Sequence, residues 1–107
     1  MKLLTEELRA QLPPLYSQES NKDPIVHVKF FSPWSNWTWF ATEGTAEEEE
    51  FLFFGYVIGH EEEWGYFALS EMESVRGPGG LTIERDLYFK PGPFSQVIER
   101  YRREHGQ

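Results

Sequence analysis

Acids and a single arginine are the residues best equipped for chemistry in this chain. Glu43, Glu71, Glu84, Arg85 and Asp86 are of the types that exchange protons, stabilise charge or supply oxygen ligands to a divalent cation. A site built from them would be that of a small hydrolase or metal-dependent enzyme, with Glu43, Glu71, Arg85 and Asp86 as catalytic candidates. Nothing in their spacing enforces convergence, because short cation-binding loops need a denser and more regular set of ligands. Each acid also occupies an ordinary place for a carboxylate: Glu43 at a strand end, Glu71 in a helix first turn and Glu84 in a loop. The balance leans away from an enzyme.

Other chemistries are weaker still. His27, His60 and His105 show no H-x-x-x-H or H-E-x-x-H spacing, so no metal site is expected. The absence of cysteine excludes a thiolate nucleophile, a disulfide scaffold and a Cys-ligated zinc. Gly77, Gly79 and Gly80 lack the G-K-[ST] ending of a phosphate cradle and follow a helical turn, so they are expected to form a turn. No nucleophile elbow accompanies the serines. No cofactor is expected.

Binding surfaces have two candidates. The indoles of Trp34, Trp37, Trp39 and Trp64 could stack on a base, sugar or peptide. Trp34, inside the SPWSN turn, is the one expected to be exposed. The second candidate is the acidic tract Glu47, Glu48, Glu49 and Glu50. Between Phe30 and Val75 the chain has no Lys or Arg, yet ten of its 18 acids lie there. Such a surface repels phosphates, which disfavours direct nucleic-acid binding. It suits a basic or nucleic-acid-binding protein as partner.

The elements that must position these residues follow from local pattern. With 107 residues and 17% aromatics, one folded domain spanning 1–107 is expected. The opening MKLLTEELRAQLPP is neither a signal peptide nor a membrane span, so a cytoplasmic protein is expected. Thr5 caps a helix through Leu12 that sets Leu4, Leu8 and Leu12 on one face, and Pro13 and Pro14 stop it.

Ile25 to Ser32 alternates as a half-buried strand, and SPWSN returns it as a hairpin into Trp37 to Glu43. Glu47 to Glu50 reads as a loop. Phe51 to Ile58 and Trp64 to Leu69 are apolar on both faces, which predicts two central strands. Ser70 and Glu73 match a capping box for a short helix. Leu81 to Phe89 could be another strand, but Arg85 shares the parity of Leu81, Ile83 and Leu87. Its guanidinium would enter an apolar face and needs a partner, so a break, a bulge or a buried ion pair is expected at 84–86. Phe94 to about Glu104 forms the last helix, with Phe94, Val97, Ile98 and Tyr101 on one face.

These motifs carry a resemblance. Leu3-Leu4-Thr5 with Leu15-Tyr16, the run Asp23 to Phe31, Trp37-Thr38-Trp39 to Glu43, Phe53-Phe54-Gly55, Gly65-Tyr66-Phe67 to Glu71, Glu73 to Gly77 and Ile83 to Leu87 resemble the domain of unknown function 2958 family. The likeness covers about residues 1–95. It implies a small bacterial protein of the kind often associated with plasmids and integrated mobile elements, and it carries over no activity and no catalytic residues. The Trp34-Ser35 turn, the Glu47 to Glu50 tract and the helix beyond Ser95 depart from the family pattern.

The expected architecture is α+β: a mainly antiparallel sheet of four or five strands flanked by N- and C-terminal helices. Trp39, Phe53, Val57, Phe67 and Leu69 are its expected core. The leading functional expectation is a non-enzymatic interaction or accessory module of a mobile element, whose acidic region 43–63 meets a basic partner. The carboxylate and arginine enzyme and the aromatic platform are the alternatives.

Overall fold

Thr5 opens the chain's first helix as its pattern requires: the Thr5 hydroxyl accepts from the Leu8 amide at 3.2 Å, and α1 spans Glu6–Gln11. The structure is a computed structural model describing residues 1–106. Strands β1 (Ile25–Val26) and β2 (Val28–Phe31) follow, then β3 (Thr38–Glu47), β4 (Glu50–Ile58) and β5 (Glu62–Ala68). Helix α2 (Leu69–Ser74), a 3₁₀ turn at Pro78–Gly80, strands β6 (Glu84–Arg85) and β7 (Gly92–Pro93) and helix α3 (Phe94–Glu104) complete the fold.

The result is an α+β domain. A five-stranded antiparallel sheet has the order β5-β4-β3-β2-β6, and β1 pairs with β7 in a separate two-stranded sheet. Apolar side chains on both sheet faces demand covers on both. On the first face Val28, Phe30, Ala41, Phe51, Phe53 and Phe67 pack against Leu3, Leu4, Leu12 and Met72. On the second, Val26, Phe40 and Ile58 pack against Val97 and Tyr101 of α3. Phe53 and Phe67 are buried as expected, and Trp39, Val57 and Leu69 are half-buried against the first core.

Several local expectations change. Strand β5 is the edge of the sheet, not a second central strand. The acidic tract is a tight hairpin instead of a loop: Glu47 pairs with Glu50 across a Glu48-Glu49 turn, and Glu48 adopts a left-handed φ of 55°. The anticipated strand Ile25 to Ser32 is divided at His27, and that of Leu81 to Phe89 shrinks to Glu84–Arg85.

The helix cap moves as well. Ala68 occupies the N-cap of α2, and its amide donates to the Glu71 carboxylate at 3.2 Å. Ser70, expected to cap, instead donates its hydroxyl and its amide to the Glu50 carboxylate. The chain already turns helical at Leu69, so the box forms two residues earlier with only its Glu half present as a side chain.

Arg85 resolves its parity conflict without a counter-ion among the described residues. It sits opposite Phe30, on the apolar face, but on the outermost strand. From there its Nη1 donates to the carbonyls of Lys2 and Leu3 at 2.6 and 3.0 Å. It thereby fastens the N-terminal segment over the sheet. No helix among the described residues is long and apolar enough to cross a membrane.

Candidate functional site

The four catalytic candidates do not come together. Glu71 is occupied at the N-terminus of α2, and Arg85 holds the Lys2 and Leu3 carbonyls. Asp86 pairs with Lys29 at 3.4 Å. Glu43 lies elsewhere, in a cleft that contains none of the other three. Among the described residues no group of three His, Asp or Glu is placed to hold a metal ion.

The binding candidates also rearrange. Trp34 is half-buried and lies over Gly77, where a Cβ would come within 2.4 Å of its ring. The exposed indoles are Trp37 and Trp64. Glu47 to Glu50 lie at one end of β4 and Glu61 to Glu63 at the other. The nine-residue strand β4, which starts at Glu50, spans about 26 Å between them, eight steps of about 3.3 Å. The acids of 43–63 therefore form separate clusters, not one patch.

What the sheet does assemble is an aromatic cleft. Antiparallel register sets Phe54 opposite Tyr66 and Tyr56 opposite Trp64. Phe54 stacks on Trp64 with ring centroids 6.0 Å apart and 13° between planes, and it meets Tyr66 edge-on at 5.0 Å. Phe94, the first residue of α3, packs on Tyr56 and Trp64 at 4.9 and 4.7 Å. From there α3 runs over Phe40 and Ile58, leaving Trp64 and Tyr66 exposed.

The segment after α1 closes the other side. Tyr16 places its ring 6.5 Å from Tyr66, and the space between this segment and the sheet is a cleft of about 370 Å³. That is within the usual size of small-ligand sites. Tyr16 has a φ of 73°, a left-handed conformation that bulky residues seldom adopt.

Glu43 is what holds it there. Its Oε1 accepts from the Tyr16 amide at 2.8 Å and its Oε2 from the Gln18 amide at 2.7 Å. Gln18 locks the same segment to the sheet, donating its side-chain amide to the carbonyls of Ile25 and Thr42 at 2.9 and 2.8 Å. A bulge aims Glu43. Ala41 faces Gly55 and Glu43 faces Phe54, so Thr42 is the extra residue of β3. In an unbroken strand Glu43 would share the face of Trp39 and Ala41; the bulge turns it to the aromatic face.

The carboxylates leave an electrostatic mark on the cleft. Tyr66's phenol is pushed above its ordinary value first by the neighbouring Tyr16 phenol, then by burial, and further by the Glu43 and Glu19 carboxylates. On the far side of Trp64, Glu62 accepts from the Tyr56 hydroxyl and from Arg102. These bonds, that to Arg102 foremost, hold the Glu62 carboxyl below its usual range.

The family model described as "Protein of unknown function (DUF2958)" matches residues 3–106. The chain belongs to that family. No curated protein and no solved structure matches it. The family description assigns no chemistry, so the DUF2958 site has to be read from geometry alone.

Sequence reasoning named Trp64 only as one of four indoles and missed Tyr16, Phe54 and Tyr66. One signal was present: aromatics at 54 and 56 are mirrored by those at 64 and 66 about the Gly59 turn. An antiparallel hairpin puts such positions side by side on one face.

Proposed function

We propose that this protein is a non-enzymatic recognition module that binds a partner polypeptide through the cleft between Tyr16 and Trp64. The observation that carries this reading is the aromatic row Tyr66, Phe54 and Trp64, left without a cover where α3 begins at Phe94. Exposed contiguous aromatics mark interaction sites more often than they serve a fold. Strand β5 adds a reason for a polypeptide ligand. Among the described residues it is hydrogen-bonded only to β4, so its outer edge can pair with an extended segment while a side chain of that segment enters the cleft. The likeness to a family frequent on plasmids supports a bacterial mobile element as the setting, and with it a cytoplasmic partner.

Glu43, Glu71 and the adjacent pair Arg85 and Asp86 sit in three separate places with separate partners, and no observation favours the enzyme reading. The separated acid clusters act on this view as steering charges at the two ends of the β4 hairpins, not as the contact itself.

Selection of displayed random peptides on the immobilised protein tests the proposal. The expected peptides shift the indole resonance of Trp64 and lose binding to the Trp64→Ala and Tyr66→Ala variants. Binders indifferent to both substitutions would place the recognition surface elsewhere and overturn the reading.

A further inference from the structure

The side chain that the cleft accepts is cationic: we infer that a guanidinium group of the partner stacks on the rings of Trp64 and Tyr66 and pairs with Glu43. This inference rests on the cleft being the binding surface and names the chemistry it reads.

Glu43 is the reason. It is only 4% exposed, and a buried carboxylate is costly unless paired. Its hydrogen bonds come from two neutral backbone amides. The ion pairs among the described residues are Lys29 with Asp86, Arg102 with Glu62 and Arg103 with Glu99, and none includes Glu43. A carboxylate has about four acceptor positions, and two amides leave about half of them open.

The surroundings select for positive charge rather than mere polarity. Ring faces carry negative quadrupole potential and attract cations within about 6 Å. Glu19 lines the same cleft and adds to that potential. Lys22 lines it too but is exposed at the rim and makes no ion pair with Glu43. Between guanidinium and ammonium, the planar group fits better, because it stacks on aromatic faces while presenting a fork of donors to a carboxylate. The bulge at Thr42, which brings Glu43 beside these rings, is of a kind that re-aims side chains at functional sites.

Two ligands of equal shape and different charge test the inference: N-acetyl-arginine methylamide and its citrulline counterpart, titrated into the full chain by NMR. The arginine compound is expected to shift the Trp64 indole and to bind at least about ten-fold more tightly, a difference of about 1.4 kcal/mol. Glu43→Gln, which keeps an acceptor for the Tyr16 segment, should bring that ratio close to one, whereas Lys22→Met should not reduce it. If the glutamine variant does not fold, the wild-type comparison decides alone. Equal affinity for the two compounds at Trp64 would overturn the charge inference and leave the cleft standing. A Trp64 resonance that responds to neither, together with displayed peptides that ignore Trp64→Ala, would remove both.

Discussion

Glu43 stands directly opposite Phe54 although it lies two residues beyond Ala41, whose partner is Gly55. That single irregularity joins the acid, the aromatic row and the segment carrying Tyr16 into one site. Replacing Glu43 by Ala should free the Tyr16 and Gln18 amides, at a cost of about 1–3 kcal/mol for unsatisfied donors. Hydrogen exchange should show those two amides losing protection while β4 keeps its own. Unchanged protection would mean that Gln18 alone fixes the segment.

Phe53 and Trp64 should respond unequally to truncation. Phe53 is fully buried among Phe30, Phe51 and Phe67, so Phe53→Ala should cost about 3–5 kcal/mol. Trp64 is 39% exposed, and loss of its three ring pairs, at about 0.5–1.5 kcal/mol each, should cost about 2 kcal/mol. Denaturant midpoints compare the two directly, and a Trp64→Ala loss as large as that of Phe53→Ala would make the aromatic row structural.

Gly55 tolerates no side chain. A Cβ there would fall 1.9 Å from the carbonyl oxygen of Phe40, a backbone atom that cannot step aside. Gly55→Ala should therefore cost at least the upper end of the usual overpacking range, about 3 kcal/mol. Gly65, its neighbour on β5, meets nothing within 4 Å, and Gly65→Ala should leave the thermal midpoint unchanged or raised.

Arg85 anchors the N-terminal segment through two carbonyls. Hydrogen bonds of a charged donor are worth about 1.5–3 kcal/mol, and partial exposure favours the lower figure. Arg85→Ala should lower stability by about 1.5 kcal/mol and expose residues 1–4 to proteolysis. Resistance of that segment equal to wild type would show that burial of Leu3 and Leu4 suffices.

Acid should loosen two tertiary anchors. The Glu50 carboxylate accepts from Ser70 and Asp23 from Ser95; these bonds lower Glu50 from its ordinary 4.5 and Asp23 from its ordinary 3.8. Because the folded values lie below the unfolded ones, the stabilisation is complete above the ordinary values and is lost as pH falls through the folded values. The Ser70→Ala, Ser95→Ala double variant should therefore show a shallower loss of stability below pH 4.5 than wild type. Parallel curves would assign acid sensitivity to other groups.

Short-range pattern accounts for what was legible. The Thr5 cap, the Leu4, Leu8 and Leu12 face, the SPWSN hairpin and the Phe94 to Tyr101 face each depend on residues a few positions apart. Their physics is local, and the structure reproduces them. The parity conflict at Arg85 was legible as well, although its partner, 82 and 83 residues away, was not.

The sequence by itself determined an α+β domain whose sheet is apolar on both faces and is covered by helices from each end of the chain. Only the tertiary structure decided that β5 lies at the edge, that Asp23 caps α3 from 72 residues away, and that Glu43 faces Phe54 and Tyr66. Periodicity reports which side chains are apolar, not whether another element covers them. A bulge depends on how backbone groups pair between two strands, and neither strand's composition contains that pairing.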